Sequence, residues 1–110
     1  MLGAIIGDIV GSRFEGTGLQ KKDFDLFTQR SRATDDTIMT LAVAKSIMET
    51  VKTIEPSVPG TGSDEDFHRL LAKNAVLCMQ KIGRKYPYAG YGGRFGGWLF
   101  TPNAQPYNSF

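Results

Sequence analysis

The apolar residues of this chain fall into three stretches, and the spacing within each favours a helix. Residues 2–15 are largely apolar and carry a glycine at every fourth position between Gly3 and Gly11. Residues 35–51 are apolar with few polar breaks, which is typical of a largely buried helix. Residues 64–83 carry an apolar stripe at helical spacing behind Ser63, a favoured N-cap residue. The pattern therefore predicts three helices.

The first stretch is compatible with two conformations. Its isoleucine and valine residues favour a strand. On a helix, however, its three glycines would share one face and permit close approach of a neighbouring backbone, and we expect such packing to offset their low helix propensity. We predict a helix over residues 3–13 and, with the other two helices, an all-α fold. Asp8 lies within this apolar stretch, where a buried carboxylate needs a hydrogen-bonding partner or a cation.

Glycine and aromatic residues dominate residues 86–100, and two interpretations are open for them. The segment could cradle a ligand on its aromatic rings. It could equally be a turn-rich connection that Phe95 and Trp98 anchor to the core. Residues 16–33 and 56–62 are predicted as a loop and a linker because glycine, proline and mixed charges replace the helical period. Residues 101–110 show no clear element.

Composition and charge indicate an ordinary soluble protein. The chain has 110 residues, enough for one domain with a core, and its apolar and charged fractions of 41% and 22% are common values. A net charge of +2 is too small to indicate a nucleic-acid or membrane partner. The single cysteine, Cys78, excludes an intramolecular disulfide and suits a reducing compartment. With no signal peptide or membrane-length apolar run evident, we expect a cytoplasmic location.

The run Thr34-Asp35-Asp36-Thr37 is the strongest candidate for chemistry. It stands at the mouth of the second predicted helix, where such residues cap free N–H groups and complement the helix dipole. Capping alone explains most runs of this kind. One cap needs only one such residue, however, and two adjacent carboxylates repel each other unless positive charge lies nearby. Four oxygen-bearing side chains in a row also suit a hard cation such as Mg²⁺ or Mn²⁺.

Three motifs taken together resemble the ADP-ribosylglycohydrolases, the family of the dinitrogenase reductase-activating glycohydrolase. They are Gly3-Ala-Ile-Ile-Gly-Asp-Ile-Val-Gly-Ser with Glu15, Thr34-Asp-Asp-Thr-Ile-Met-Thr-Leu-Ala-Val-Ala, and Tyr86-Pro-Tyr-Ala-Gly-Tyr-Gly-Gly with Trp98. The motifs occur in the family's order and span nearly the whole chain. The first two are specific in combination, although neither is specific alone.

This resemblance implies an all-α fold and a binuclear Mg²⁺ or Mn²⁺ site. Enzymes of the family cleave the glycosidic bond between ADP-ribose and an acceptor such as an arginine or serine side chain. By position, Thr34, Asp35 and Asp36 match metal ligands of the family. Glu15 matches an acidic residue near the ribose that some members use in catalysis. The implied partners are ADP-ribosylated proteins or small ADP-ribosyl compounds.

One departure from the family pattern bears on activity. Relatives supply further metal ligands from a distal Asp-x-Asp motif followed by Thr or Ser, and this sequence contains no such motif. We therefore expect residues 1–110 to be a single partial domain, the N-terminal part of such an enzyme, and inactive alone. The alternatives are a non-catalytic half-site module that acts with a partner chain and, more remotely, a nucleic-acid-binding module. Apolar helix surfaces that later helices cover in relatives would favour self-association.

Overall fold

The computed structural model of the protein describes residues 1–18, 22–54 and 63–108, and these residues form helices without any strand. The helices are α1 (Leu2–Gly11), α2 (Asp35–Ile54), α3 (Asp64–Gly83) and α4 (Gly93–Phe100), with a 3₁₀ turn at Ser12–Phe14. The predicted all-α fold is confirmed, and the strand alternative for the first stretch is wrong. The predicted linker at 56–62 lies outside the described residues. Within the described part of the chain, no helix is both long and apolar enough to cross a membrane.

The central contact of the fold is the packing of α2 on α3. The face of α2 that is buried carries small residues at four-residue spacing, Ala42, Ser46 and Thr50, each with no exposed surface. The two hydroxyls donate to carbonyls of their own helix, and Asn74 of α3 donates to the Thr50 hydroxyl at 2.9 Å. Every buried polar group on this face is therefore paired, as burial requires.

The large apolar residues of α2 are mostly exposed, so the prediction of a largely buried helix is wrong for the described chain. Leu41, Val43, Ile47, Met48 and Val51 each retain more than a third of their surface. The reason is that α1 and α3 contact only part of the helix circumference. The apolar residues do recur at helical spacing, but the described residues supply no neighbour that covers the remaining apolar surface of α2.

Helix α3 begins and ends where its sequence predicts, although the reason for its last residue differs. Ser63 is the N-cap and accepts a hydrogen bond from the Asp66 N–H at 3.2 Å. The predicted stop, Gly83, is the last helical residue. A Cβ at this glycine would lie 2.7 Å from Cδ2 of the fully buried Leu99. Close packing against Leu99, and not a left-handed backbone conformation, thus requires glycine here. Cys78 is buried on the same helix, as predicted.

Helix α4 lies within the segment that was predicted to be a loop. Its glycines lower helix propensity. Packing offsets this cost, since Leu99 is fully buried and the rings of Phe95 and Trp98 stack with centroids 5.3 Å apart. The side chain of Gln80 on α3 donates to the carbonyls of Trp98 and Thr101, which satisfies backbone groups at the end of the helix. Contacts with α3 therefore decide the conformation of this segment.

The glycine face of α1 does not pack tightly, contrary to the prediction. Among the described residues, no atom lies within 4 Å of a Cβ built on Gly3, Gly7 or Gly11. No residue of α1 is buried either. Two of these glycines, Gly7 and Gly11, instead line an open cleft, which their lack of a side chain widens.

Candidate functional site

The run from Thr34 to Thr37 lies at the start of α2, as predicted. The Thr34 carbonyl accepts the first helical hydrogen bond, from the Ile38 N–H at 3.2 Å, which makes Thr34 the N-cap residue. Asp35 and Asp36 follow in the first turn. Both carboxylates thus stand at the positive end of a 20-residue helix, where negative charge is stabilised.

Asp8 of α1, rather than a residue of the run itself, caps this helix. Its Oδ2 atom accepts the Thr34 N–H at 2.8 Å and the Thr37 N–H at 3.1 Å. The hydroxyl of Thr34 donates to Oδ1 and that of Thr37 to Oδ2. Both threonines are almost fully buried. The expectation that the run caps itself is therefore wrong for Thr34, whose hydroxyl is a donor to Asp8.

These hydrogen bonds also govern the charge of Asp8. Burial by itself raises the pKa of this carboxyl, but the hydrogen bonds from Thr34 and Thr37 outweigh burial and hold the pKa below its ordinary value of 3.8. A carboxylate is therefore the stable form at neutral pH. The sequence signal for this role was the lone acid in an apolar stretch, which indicated that a partner was needed without saying which residue supplied it.

Glu15 and Asp36 line one open cleft between the start of the chain and α2, whereas Asp35, which we also expected to face it, does not. The cleft has a volume of about 430 Å³. Glu15 follows the 3₁₀ turn, and both acids are exposed. The other lining residues are small or polar: Ala4, Gly7, Asp8, Gly11 and Thr40. The cleft thus presents the exposed carboxylates of Glu15 and Asp36 on a surface with little apolar bulk.

Asp35 is not among the residues that line this cleft, because neighbouring residues on a helix point in different directions. It contacts the glycine-aromatic segment instead. Its N–H donates to the Ala89 carbonyl at 2.9 Å, and a Cβ on Gly90 would lie 3.4 Å from its Oδ1 atom. Gly90 has a φ of 107°, which side chains rarely adopt. The backbone at Ala89 and Gly90 therefore contacts Asp35, while Asp8 contacts the threonines on either side of the aspartate pair.

Tyr91 belongs to the same glycine-aromatic segment, and sequence reasoning gave it no individual role. Burial raises the pKa of its phenol, and the negative charge of Asp35 raises it further. Its hydroxyl is buried and has no hydrogen-bond partner among the described residues. Only the tertiary structure brings this phenol near the aspartate, since the two are far apart in sequence.

The oxygen donors near the start of α2 have the right chemistry for Mg²⁺ or Mn²⁺. They do not form a complete shell. Within the described residues, no three Asp, Glu, His or Cys side chains are grouped closely enough to hold a metal ion together. Thr34, Asp35 and Asp36 thus fit a hard cation in donor type but supply only part of the ligands that such an ion takes.

Comparison with known proteins adds a family to this geometry. The family model described as ADP-ribosylglycohydrolase matches residues 1–104, a range that includes every residue of the candidate site. No curated protein and no solved structure matches the chain.

Proposed function

Because the chain belongs to the ADP-ribosylglycohydrolase family, we propose that it contributes the N-terminal part of the active site of a metal-dependent hydrolase. The proposed reaction removes ADP-ribose from modified protein side chains or from related ADP-ribosyl compounds. The observation that carries this proposal is the shared cleft of Glu15 and Asp36, which are distant in sequence. A purely structural capping run would give no reason for a second acid to meet it there.

In this proposal Thr34, Asp35 and Asp36 hold Mg²⁺ or Mn²⁺ at the start of α2. The positive end of the helix lowers the repulsion between the two carboxylates before any cation binds. The hydrogen bonds of the Thr34 N–H to Asp8 and of the Asp35 N–H to the Ala89 carbonyl hold the run in one conformation. A bound cation would orient the ribose and activate water for attack on the glycosidic bond.

Glu15 is the proposed catalytic carboxylate. Its carboxylate borders the cleft without a hydrogen bond to another described side chain that would tie it to a structural role. From this position it can hold a ribose hydroxyl or exchange a proton with water or substrate, as general acid–base catalysis requires. The small residues Gly7 and Gly11 leave space for a sugar beside it.

We further propose that residues 1–110 act as a partial domain. Paired-metal chemistry needs two fixed ions, and each Mg²⁺ ion takes about six oxygen ligands. The three proposed ligands cannot fill two such shells. The exposed apolar residues of α2 favour a second candidate function, that of a half-site module completed by a partner chain.

The first test measures Mn²⁺ binding to the purified chain, with water-proton relaxation as the readout. We expect weak binding that Asp36→Ala reduces further. Glu65→Ala is the matched control, because Glu65 is an exposed acid in the first turn of α3 and lies outside the cleft. Equal loss in both variants, or none in either, would contradict a metal site at Asp36.

The second test is ADP-ribose binding by calorimetry in the presence of Mn²⁺. We expect Glu15→Gln to weaken ADP-ribose binding while leaving Mn²⁺ binding largely in place. Undiminished ADP-ribose binding by Glu15→Gln would remove Glu15 from the site.

A further inference from the structure

We propose that Asp8 is a positioning residue for metal binding: by accepting the hydroxyl hydrogen of Thr34, it leaves the Thr34 oxygen able to act only as a ligand. This inference rests on the proposed function, since it assumes a cation at the start of α2. Asp8 itself is assigned no contact with metal or substrate.

The hydrogen bonds of Asp8 are the first argument. An ionised carboxylate has about four lone-pair directions. Asp8 receives four donors, two backbone N–H groups and two hydroxyls, all from Thr34 and Thr37. Oδ2 accepts three of these bonds and Oδ1 accepts one, so most of the hydrogen-bonding capacity of Asp8 is used within the protein, even though it borders the cleft. This separates Asp8 from Glu15 and Asp36, the two exposed acids of the same cleft.

The chemistry of the Thr34 hydroxyl is the second argument. A threonine hydroxyl is one donor and a double acceptor, and its hydrogen rotates to suit its surroundings. A hydroxyl that binds a cation must direct its hydrogen elsewhere. Asp8 fixes that direction, and a charge-assisted hydrogen bond to a carboxylate makes the oxygen a stronger electron donor. Groups that hold a ligand in this way commonly contribute tenfold to 100-fold, as an order of magnitude, to metal affinity.

The position of Asp8 between two elements is the third argument. It lies on α1, which leads through the 3₁₀ turn to Glu15, and it bonds the first turn of α2, which carries Asp36. No other side chain of α1 makes a hydrogen bond to α2 in the described residues. Asp8 thereby links the two sides of the cleft as well as orienting Thr34.

The test compares Asp8→Asn with Thr37→Val in Mn²⁺ titrations of the purified chain, under conditions where circular dichroism shows each variant folded. Asparagine keeps the shape of Asp8 but places an NH₂ donor against donors. Valine at position 37 removes one hydrogen bond to Asp8 and leaves the Thr34 hydroxyl bond intact. We expect Asp8→Asn to weaken Mn²⁺ binding about tenfold or more, and Thr37→Val to retain an affinity close to that of the unchanged chain.

The outcomes separate this inference from the proposed function. If the unchanged chain binds no Mn²⁺, both fail. If it binds Mn²⁺ and folded Asp8→Asn binds equally well, the role of Asp8 fails while the proposed function stands. If Thr37→Val weakens binding as much as Asp8→Asn, the effect belongs to the helix start in general and the role assigned through Thr34 fails.

A second pair of variants keeps the inference testable should Asp8→Asn not fold. Thr34→Ser retains the hydroxyl and should retain Mn²⁺ binding, whereas Thr34→Val should lose it. Equal affinity of these two variants would overturn the inference. In the metal-free protein, slow hydrogen exchange at the Thr34 N–H is the corresponding structural readout, and fast exchange there would count against the Asp8 contact.

Discussion

Glu15 and Asp36 lie on the same cleft, one after the 3₁₀ turn that follows α1 and the other in the first turn of α2. Contacts between α1 and the start of α2 bring these two acids together. Asp8 accepts hydrogen bonds from the start of α2, and Gly7 and Gly11 of α1 add no side chains to the cleft surface. The cleft is therefore a product of the α1–α2 contact rather than of either motif alone.

The purified 110-residue chain should release little ADP-ribose from an ADP-ribosylated arginine or serine peptide, with either Mg²⁺ or Mn²⁺. The described acids do not group as a complete metal site, and paired-metal chemistry needs both ions fixed. The measurement is ADP-ribose release by chromatography, with peptide alone as the blank. Release at rates typical of enzymes, abolished by Asp35→Ala, would show instead that these residues suffice.

Gly83→Ala should destabilise the protein by about 1–3 kcal/mol, the usual cost of overpacking a core. The new methyl group would lie 2.7 Å from Leu99, which has no exposed surface into which to move. Gly97→Ala is the matched control, because the corresponding space in α4 is open and alanine favours a helix by up to about 1 kcal/mol. Urea unfolding of both variants measures the difference, and equal midpoints would contradict the packing argument.

Stability should fall at acid pH through Asp8. Its pKa is lower in the folded protein than its ordinary value of 3.8, so the folded state favours the ionised carboxylate. The contribution is present above about pH 4 and is lost as the pH falls through the folded-state pKa. Chemical unfolding between pH 6 and pH 2 should therefore show a shallower acid loss in Asp8→Asn. Parallel curves for the two proteins would contradict this assignment.

The chain should self-associate through the exposed apolar residues of α2, since large apolar patches on soluble proteins mark contact surfaces. Light scattering should show species larger than a monomer, and a hydrophobic dye should bind. Met48→Lys should reduce both signals because Met48 is 58% exposed on α2. Tyr88→Lys is the control, being 98% exposed on a different segment, and should change neither. A monodisperse monomer without dye binding would contradict the prediction.

The sequence alone determined the helices that carry a local signal. Apolar residues at helical spacing define α2 and α3, and Ser63 marks the start of α3 by the cap it forms. The placement of Thr34 at the start of α2 followed from the same rules. These features depend on residues within one or two helical turns of each other, so the sequence contains all the information that they require.

The tertiary structure decided the rest, because the relevant contacts join residues far apart in the chain. Helix α4 forms despite its glycines because Leu99 is buried against Gly83. The partner of Asp8 could not be read from α1, whose sequence shows only that a buried acid needs one. Which aspartate of the pair meets Glu15 likewise depends on the rotation of α2 against α1. Burial and hydrogen bonding between distant parts of the chain set these outcomes, and no single stretch of sequence contains a pattern that predicts them.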